Sequence, residues 1–193
     1  MSKGFQPLLI VGVRMKYLFL LLAFISTAHA ALLIEPVVGY NYGTKLDFED
    51  SETYSGGNGV SAGGRLGFQK LGFQLGIDYL NSAIGMDNKN FDKKVKMNEW
   101  AGFVGFEFPI LFRVYGGLIF AGSGETMLNN DDIELQKLSG AKAGVGFTGL
   151  PFIDINFEYR RGTFSELREN GVKEESETKY QSLLMSLSLP FTL

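Results

Sequence analysis

Eight stretches of this chain alternate apolar with small or polar side chains, and the links between them alternate too, short then long. Lys70-Leu71, Pro109-Ile110 and Gly149-Leu150-Pro151 make tight links, and long polar segments separate the remaining neighbours. A period of two means strands, because successive side chains on a strand point to opposite faces. Strands of about ten residues joined by short turns at one end and long segments at the other describe a barrel threaded through a bilayer. The fold class expected is all-β, an eight-stranded antiparallel up-and-down transmembrane β-barrel.

Odd and even positions sort cleanly. In the first stretch Ile34, Pro36, Val38, Tyr40 and Tyr42 share one face, and Glu35, Val37, Gly39 and Asn41 the other. The third sets Phe73, Leu75, Ile77 and Tyr79 against Gln74, Gly76 and Asp78, and the seventh sets Ile153, Ile155, Phe157 and Tyr159 against Asp154, Asn156, Glu158 and Arg160. A soluble lipocalin-like barrel would turn the apolar face inward. Aromatic placement argues for the opposite. With the first strand running outward, Phe68, Phe73, Phe108, Phe112, Phe147 and Phe191 fall at one rim, and Tyr42, Tyr79, Trp100, Phe120 and Tyr159 at the other. Two aromatic girdles a strand length apart are what a membrane slab selects. Both termini are then expected on the periplasmic side.

The inward face carries charges of both signs: Glu35, Asp78, Glu99, Glu107, Asp154 and Glu158 with Arg65, Arg113, Lys142 and Arg160. Eight strands enclose room for side chains and little else, so a lumen charge network that plugs the barrel is expected, with a narrow channel for ions or small solutes as the alternative. Pairing Phe108 with Phe112 sets Glu107 opposite Arg113, and pairing Phe147 with Ile153 sets Lys142 opposite Glu158. Both registers bring opposite charges together.

Residues 1–30 read as a secretory signal peptide. Arg14 and Lys16 precede the apolar run from Tyr17 to Ile25, Ala28-His29-Ala30 supplies a small-x-small cleavage site, and a compact leader is complete from Met15. Residues 31–193 form one barrel domain. Removing Lys3, Arg14 and Lys16 with the leader takes the formal charge from −3 to −6, which gives no reason to expect a nucleic-acid partner. There is no cysteine, and the single histidine, His29, leaves with the leader. A Ser-His-acid constellation is therefore not available to residues 31–193, Ser186 and Ser188 have no evident base, and an enzyme is not expected.

At this point residues 31–193 resemble the small eight-stranded outer-membrane barrels of the OmpA/OmpX type. The resemblance rests on the leader, the eight strands, the asymmetry of the links and the C-terminal strand, where Leu183 through Phe191 look like an insertion signal. It implies residence in the bacterial outer membrane, contact with outer-membrane lipid and lipopolysaccharide, a transient partner in the barrel-assembly machinery, and a structural, envelope-integrity or surface-binding role. Any extracellular ligand would be met by the four loops, which are strongly charged. Asp47, Glu49, Asp50 and Glu52 make the first acidic, Lys89, Lys93, Lys94 and Lys96 the second basic, Asp131, Asp132 and Glu134 the third acidic, and Glu166, Glu169, Glu174, Glu175 and Glu177 the fourth acidic. No EF-hand spacing appears among them, and no cofactor or metal is expected.

Overall fold

The computed structural model describes residues 30–48, 53–86, 94–128, 131–174 and 176–193; the leader expected over residues 1–30 and the loop charges Glu49, Asp50, Glu52, Lys89, Lys93 and Glu175 lie outside them, apart from Ala30. Strands β1 (Ala31–Phe48), β2 (Thr53–Lys70), β3 (Phe73–Gly85), β4 (Val95–Phe108), β5 (Phe112–Leu128), β6 (Asp131–Phe147) and β7 (Asp154–Glu169) pair with their neighbours in antiparallel order. A short β8 (Val172–Glu174) folds back on the end of β7. Then β9 (Thr178–Ser188) pairs with both β7 and β1 and closes the barrel. β10 (Phe191–Thr192) continues that last stave along β1, and Leu32 and Leu193 exchange backbone hydrogen bonds of 2.9 and 3.0 Å. The barrel is thus eight staves, all antiparallel, with no free edge.

The β4–β5 hairpin pairs Phe108 with Phe112 and Glu107 with Arg113, as the sequence predicts. The β6–β7 hairpin differs. Phe147 pairs with Ile155 instead of Ile153, so Lys142 lies opposite Arg160 and Gly144 opposite Glu158. The link responsible contains Pro151, which has no amide proton to donate to a ladder, and Phe152 at φ +67°. The amide of Thr148 meanwhile donates to the carbonyl of Leu111 in the neighbouring turn, at 2.8 Å. The ladder therefore restarts two residues later, which preserves which face each residue occupies.

The long polar segments are also largely strand. β1 and β2 each run 18 residues, and β5 and β6 each run 17, well beyond the roughly ten that tilted strands need to cross a bilayer. The extra length projects from the loop end.

Along that projection the barrel changes its polarity. In the lower part of β1 the odd residues Leu33, Glu35, Val37 and Asn41 are buried, and Val38 (59% exposed) and Tyr42 (66%) face out. Gly43 then adopts φ +61°, the ladder slips, and Thr44, Leu46 and Phe48 become the buried set. Unbroken alternation would have sent Lys45 and Asp47 inside; the bulge puts both outside. On β5 the same switch follows the bulge opposite Trp100 and Ala101, and on β6 it occurs at Lys137, at φ +59°. Above Lys137 the buried residues are Ile133 and Leu135; below it they are Leu138 and Lys142. One part of the barrel is therefore apolar outside and polar inside, as a lipid-facing wall must be. The loop end is built the other way, with polar side chains outside and an apolar core within, as water requires.

Among the described residues that core is a cluster of fourteen buried side chains, including Leu46, Phe48, Ile84, Val95, Met97, Leu135, Phe164 and Tyr180. The girdle aromatics all lie on the outer wall. Phe68, Phe73, Phe108, Phe112 and Phe191 are exposed at the turn end, as are Tyr42, Trp100, Phe120 and Tyr159 at the other. Tyr79 and Phe147 are only half-buried because they pack on Trp100 and Phe112, with ring centroids 4.7 and 5.6 Å apart.

Candidate functional site

Beneath the apolar core the lumen holds nine of the ten charged residues that the alternation places inside, joined into one network. Glu35 is its hub. Its Oε1 accepts from Arg113 Nη2 at 2.7 Å and from Arg65 Nη1 at 3.3 Å, and its Oε2 accepts from Arg113 Nη1 at 3.0 Å. Arg113 also reaches Asn156 Oδ1 at 2.6 Å and Asp154 at 3.5 Å. Arg65 continues to Glu158 at 3.2 Å and to Asp78 at 3.7 Å. Lys142 bridges Asp78 and Glu158, and Arg160 bridges Glu158 and Glu99, the last at 2.7 Å.

Every member has a side chain no more than 7% exposed. Charges withdrawn that far from water persist only when paired and hydrogen-bonded, so each depends on its neighbours. The two inner arginines also lean on one ring: Tyr115 lies under Arg65 at 4.3 Å and under Arg113 at 5.5 Å. Phe103 offers Arg65 a second face at 5.7 Å. Inward aromatics in a polar lumen thus serve as cation platforms. A void bounded by Val37, Arg65, Asp78, Leu80 and Arg160 measures about 10 Å³, space for at most a single water.

Glu107 is the tenth charge and stands apart. It forms no ion pair among the described residues, and it accepts from the side-chain amides of Gln69 at 3.1 Å and Gln74 at 3.4 Å. Its place is the turn end of the lumen.

At the loop end a second polar group sits outside the bilayer span. Glu166 accepts from Lys137 at 2.9 Å, Arg168 at 3.1 Å and Lys173 at 3.2 Å. These contacts, the Lys137 hydrogen bond first, hold its carboxyl down at about 2. The group ties β6, β7 and β8 together.

The apolar cap was not foreseen from the sequence. Its signal was there, in Thr44-x-Leu46-x-Phe48 and Ile133-x-Leu135, where alternation persists through segments that read as polar loop.

No protein-family model and no curated protein matches the sequence. Solved structures do resemble it. Neisserial surface protein A is similar at 15% identity and a TM-score of 0.54, over 85% of this chain and all of that one. The attachment invasion locus protein Ail of Yersinia pestis is similar at 14% identity and a TM-score of 0.57, over 82% of this chain and 98% of that one. Ail in complex with the heparin analogue sucrose octasulfate gives the same score and identity over 83% and 99%. In strand number, closure and the polarity of its wall, the chain has the fold of these small eight-stranded outer-membrane β-barrels.

Proposed function

We propose that the protein is a sealed outer-membrane anchor whose work is recognition at its extracellular end. The observation that carries this reading is the double closure of the lumen, a buried charge network below and an apolar core above. Conduction would require opening both layers. The same core stiffens the projecting strands, so their outer faces form a platform. Lys45, Asp47, Lys96, Glu125, Glu134 and Lys179 are exposed on it. Mixed charge on a rigid surface suits contact with a polar partner, such as another cell's glycans or proteins. Ail, which shares the fold, has been solved with a sulfated sugar, which makes sucrose octasulfate a reasonable first probe.

The test has two arms. Purified protein in planar bilayers is expected to show no steady unit conductance. Bacteria displaying the full chain are expected to adhere to immobilised glycans or matrix proteins more than cells without it, and to lose that gain when Lys45, Lys96 and Lys179 are replaced by Ser. Steady conductance with no gain in adhesion would overturn the proposal in favour of a channel.

A further inference from the structure

The turn end of the barrel has a feature that neither anchoring nor loop-end recognition uses. Each of its three tight turns places a bulky apolar residue in the left-handed backbone region: Leu71 at φ +49°, Leu111 at φ +68° and Phe152 at φ +67°. That conformation strains an ordinary side chain, and Gly or Asn would normally take it. Here it holds side chains out in the open. Leu71 and Phe152 are each 85% exposed, and Ile110, beside Leu111, is 70% exposed. In water, three such tips would be a standing liability. They directly continue the outward rim of Phe68, Phe73, Phe108 and Phe112, so the surface they extend is the one already turned toward lipid.

Between the first two turns lies a pocket of about 280 Å³, lined by Gln69, Leu71, Gly72, Phe106, Glu107, Phe108 and Pro109. Its lining is mostly apolar and aromatic, and Gln69 and Glu107 are its polar members. Glu107 is the lumen-face carboxylate that no cation satisfies among the described residues, although Arg113 lies directly across the hairpin from it. Two glutamine amides hold the carboxylate in place. The amide of Glu107 also donates to the Gly72 carbonyl at 2.8 Å, which ties this residue to the first turn. An oriented carboxylate in a largely apolar lining is the chemistry that receives an ammonium group. Lys70, on the outward side of the same turn, adds a cation of the kind a phosphate seeks.

We infer that the periplasmic turns are sunk in the inner leaflet and that this pocket binds the headgroup of a zwitterionic phospholipid, its primary ammonium on Glu107 and its acyl chains along the outer wall at Phe106 and Phe108. Occupancy supplies the missing counter-charge at that end of the lumen and fastens the rim to one lipid class.

Native mass spectrometry of the full protein, released from micelles offered equal phosphatidylethanolamine and phosphatidylglycerol, tests the pocket. The wild type is expected to retain the ammonium lipid by about fivefold, the scale of one ion pair. Glu107→Gln is expected to lose the preference while unfolding at the same temperature in lipid-free detergent. Equal retention of both lipids by the wild type, or a preference that survives Glu107→Gln, overturns the pocket. A second variant reads the turns without touching Glu107. Leu71→Trp in a Trp100→Phe background is expected to emit as a lipid-shielded indole and to be quenched by lipids brominated near the headgroup. Water-like emission without quenching overturns the immersion.

Discussion

Arg113 and Glu35 meet across the lumen at 2.7 Å, although 78 residues separate them and Glu107 lies directly opposite Arg113 on the neighbouring strand. Glu35 can accept both terminal nitrogens of the guanidinium, and bidentate pairing adds both strength and direction. The Tyr115 ring lies 5.5 Å from the same guanidinium. The cross-strand partner is closer along the sheet and loses the contest to geometry.

Glu35→Ala is expected to destabilise the barrel far more than Glu107→Ala. The first leaves Arg65 and Arg113 buried without their shared acceptor, a loss of about 3–5 kcal/mol; the second removes an acid with no ion pair and should cost about 1 kcal/mol or less. Urea unfolding in lipid vesicles, followed through Trp100, checks the ranking. Equal effects would mean that the network is not organised around Glu35.

The two polarities of the wall predict opposite responses to similar changes. Val104→Arg, on the lipid face at 57% exposure, is expected to cost about 2–4 kcal/mol near the bilayer midplane. Lys45→Leu, on the outer face above the bulge, should change stability by less than about 0.5 kcal/mol. Leu135→Ala, buried in the cap, is expected to lose about 2–5 kcal/mol. The same unfolding assay reads all three.

Gly43→Ala isolates the cost of the bulge. A Cβ at this position meets nothing within 4 Å, so the positive φ alone sets the penalty. A loss of about 1–2 kcal/mol is expected, together with faster amide exchange across residues 44–48. Unchanged exchange there would mean the bulge is not what positions the cap strand.

Glu166 gives the loop end a pH dependence. Its carboxyl is held at about 2 in the folded state, below the roughly 4.3 of a free glutamate. A depressed acid contributes stability in full above its unfolded pKa and loses it as pH falls through the folded one. Loop-end protection should therefore be flat from neutral pH to about 4.3 and decline toward 2. A carbon-detected titration of Glu166 in micelles should show it still ionised at pH 3.

Much of this was legible in the sequence, and the reason is local. From Ile34 to Tyr42 and from Phe73 to Tyr79, one face must satisfy hydrocarbon, so every second residue declares its side. The sequence is less direct where backbone geometry intervenes. In Tyr42-Gly43-Thr44 only the lone glycine hints that the faces will exchange, because a bulge adds no other distinctive side chain. Ion-pair partners were harder still. Register aligns Glu107 with Arg113, but long side chains choose among all strands facing the lumen, and that choice depends on closure. Pro151 and Phe152 delayed one hairpin by a pair of residues, a shift that alternation cannot register because it preserves the faces.

The exchange of faces at Gly43 and Lys137 has a mechanical consequence. It works as a waterline. A barrel with a uniform outer wall could ride higher or lower to match a thicker or thinner bilayer, at a modest cost per ångström. Here a small downward displacement would push Lys45, Arg161 and Lys179 into hydrocarbon, while an upward one would bare Val60 and Phe120 to water. The depth at which this protein floats is written into its backbone, so bilayers of the wrong thickness must deform around it.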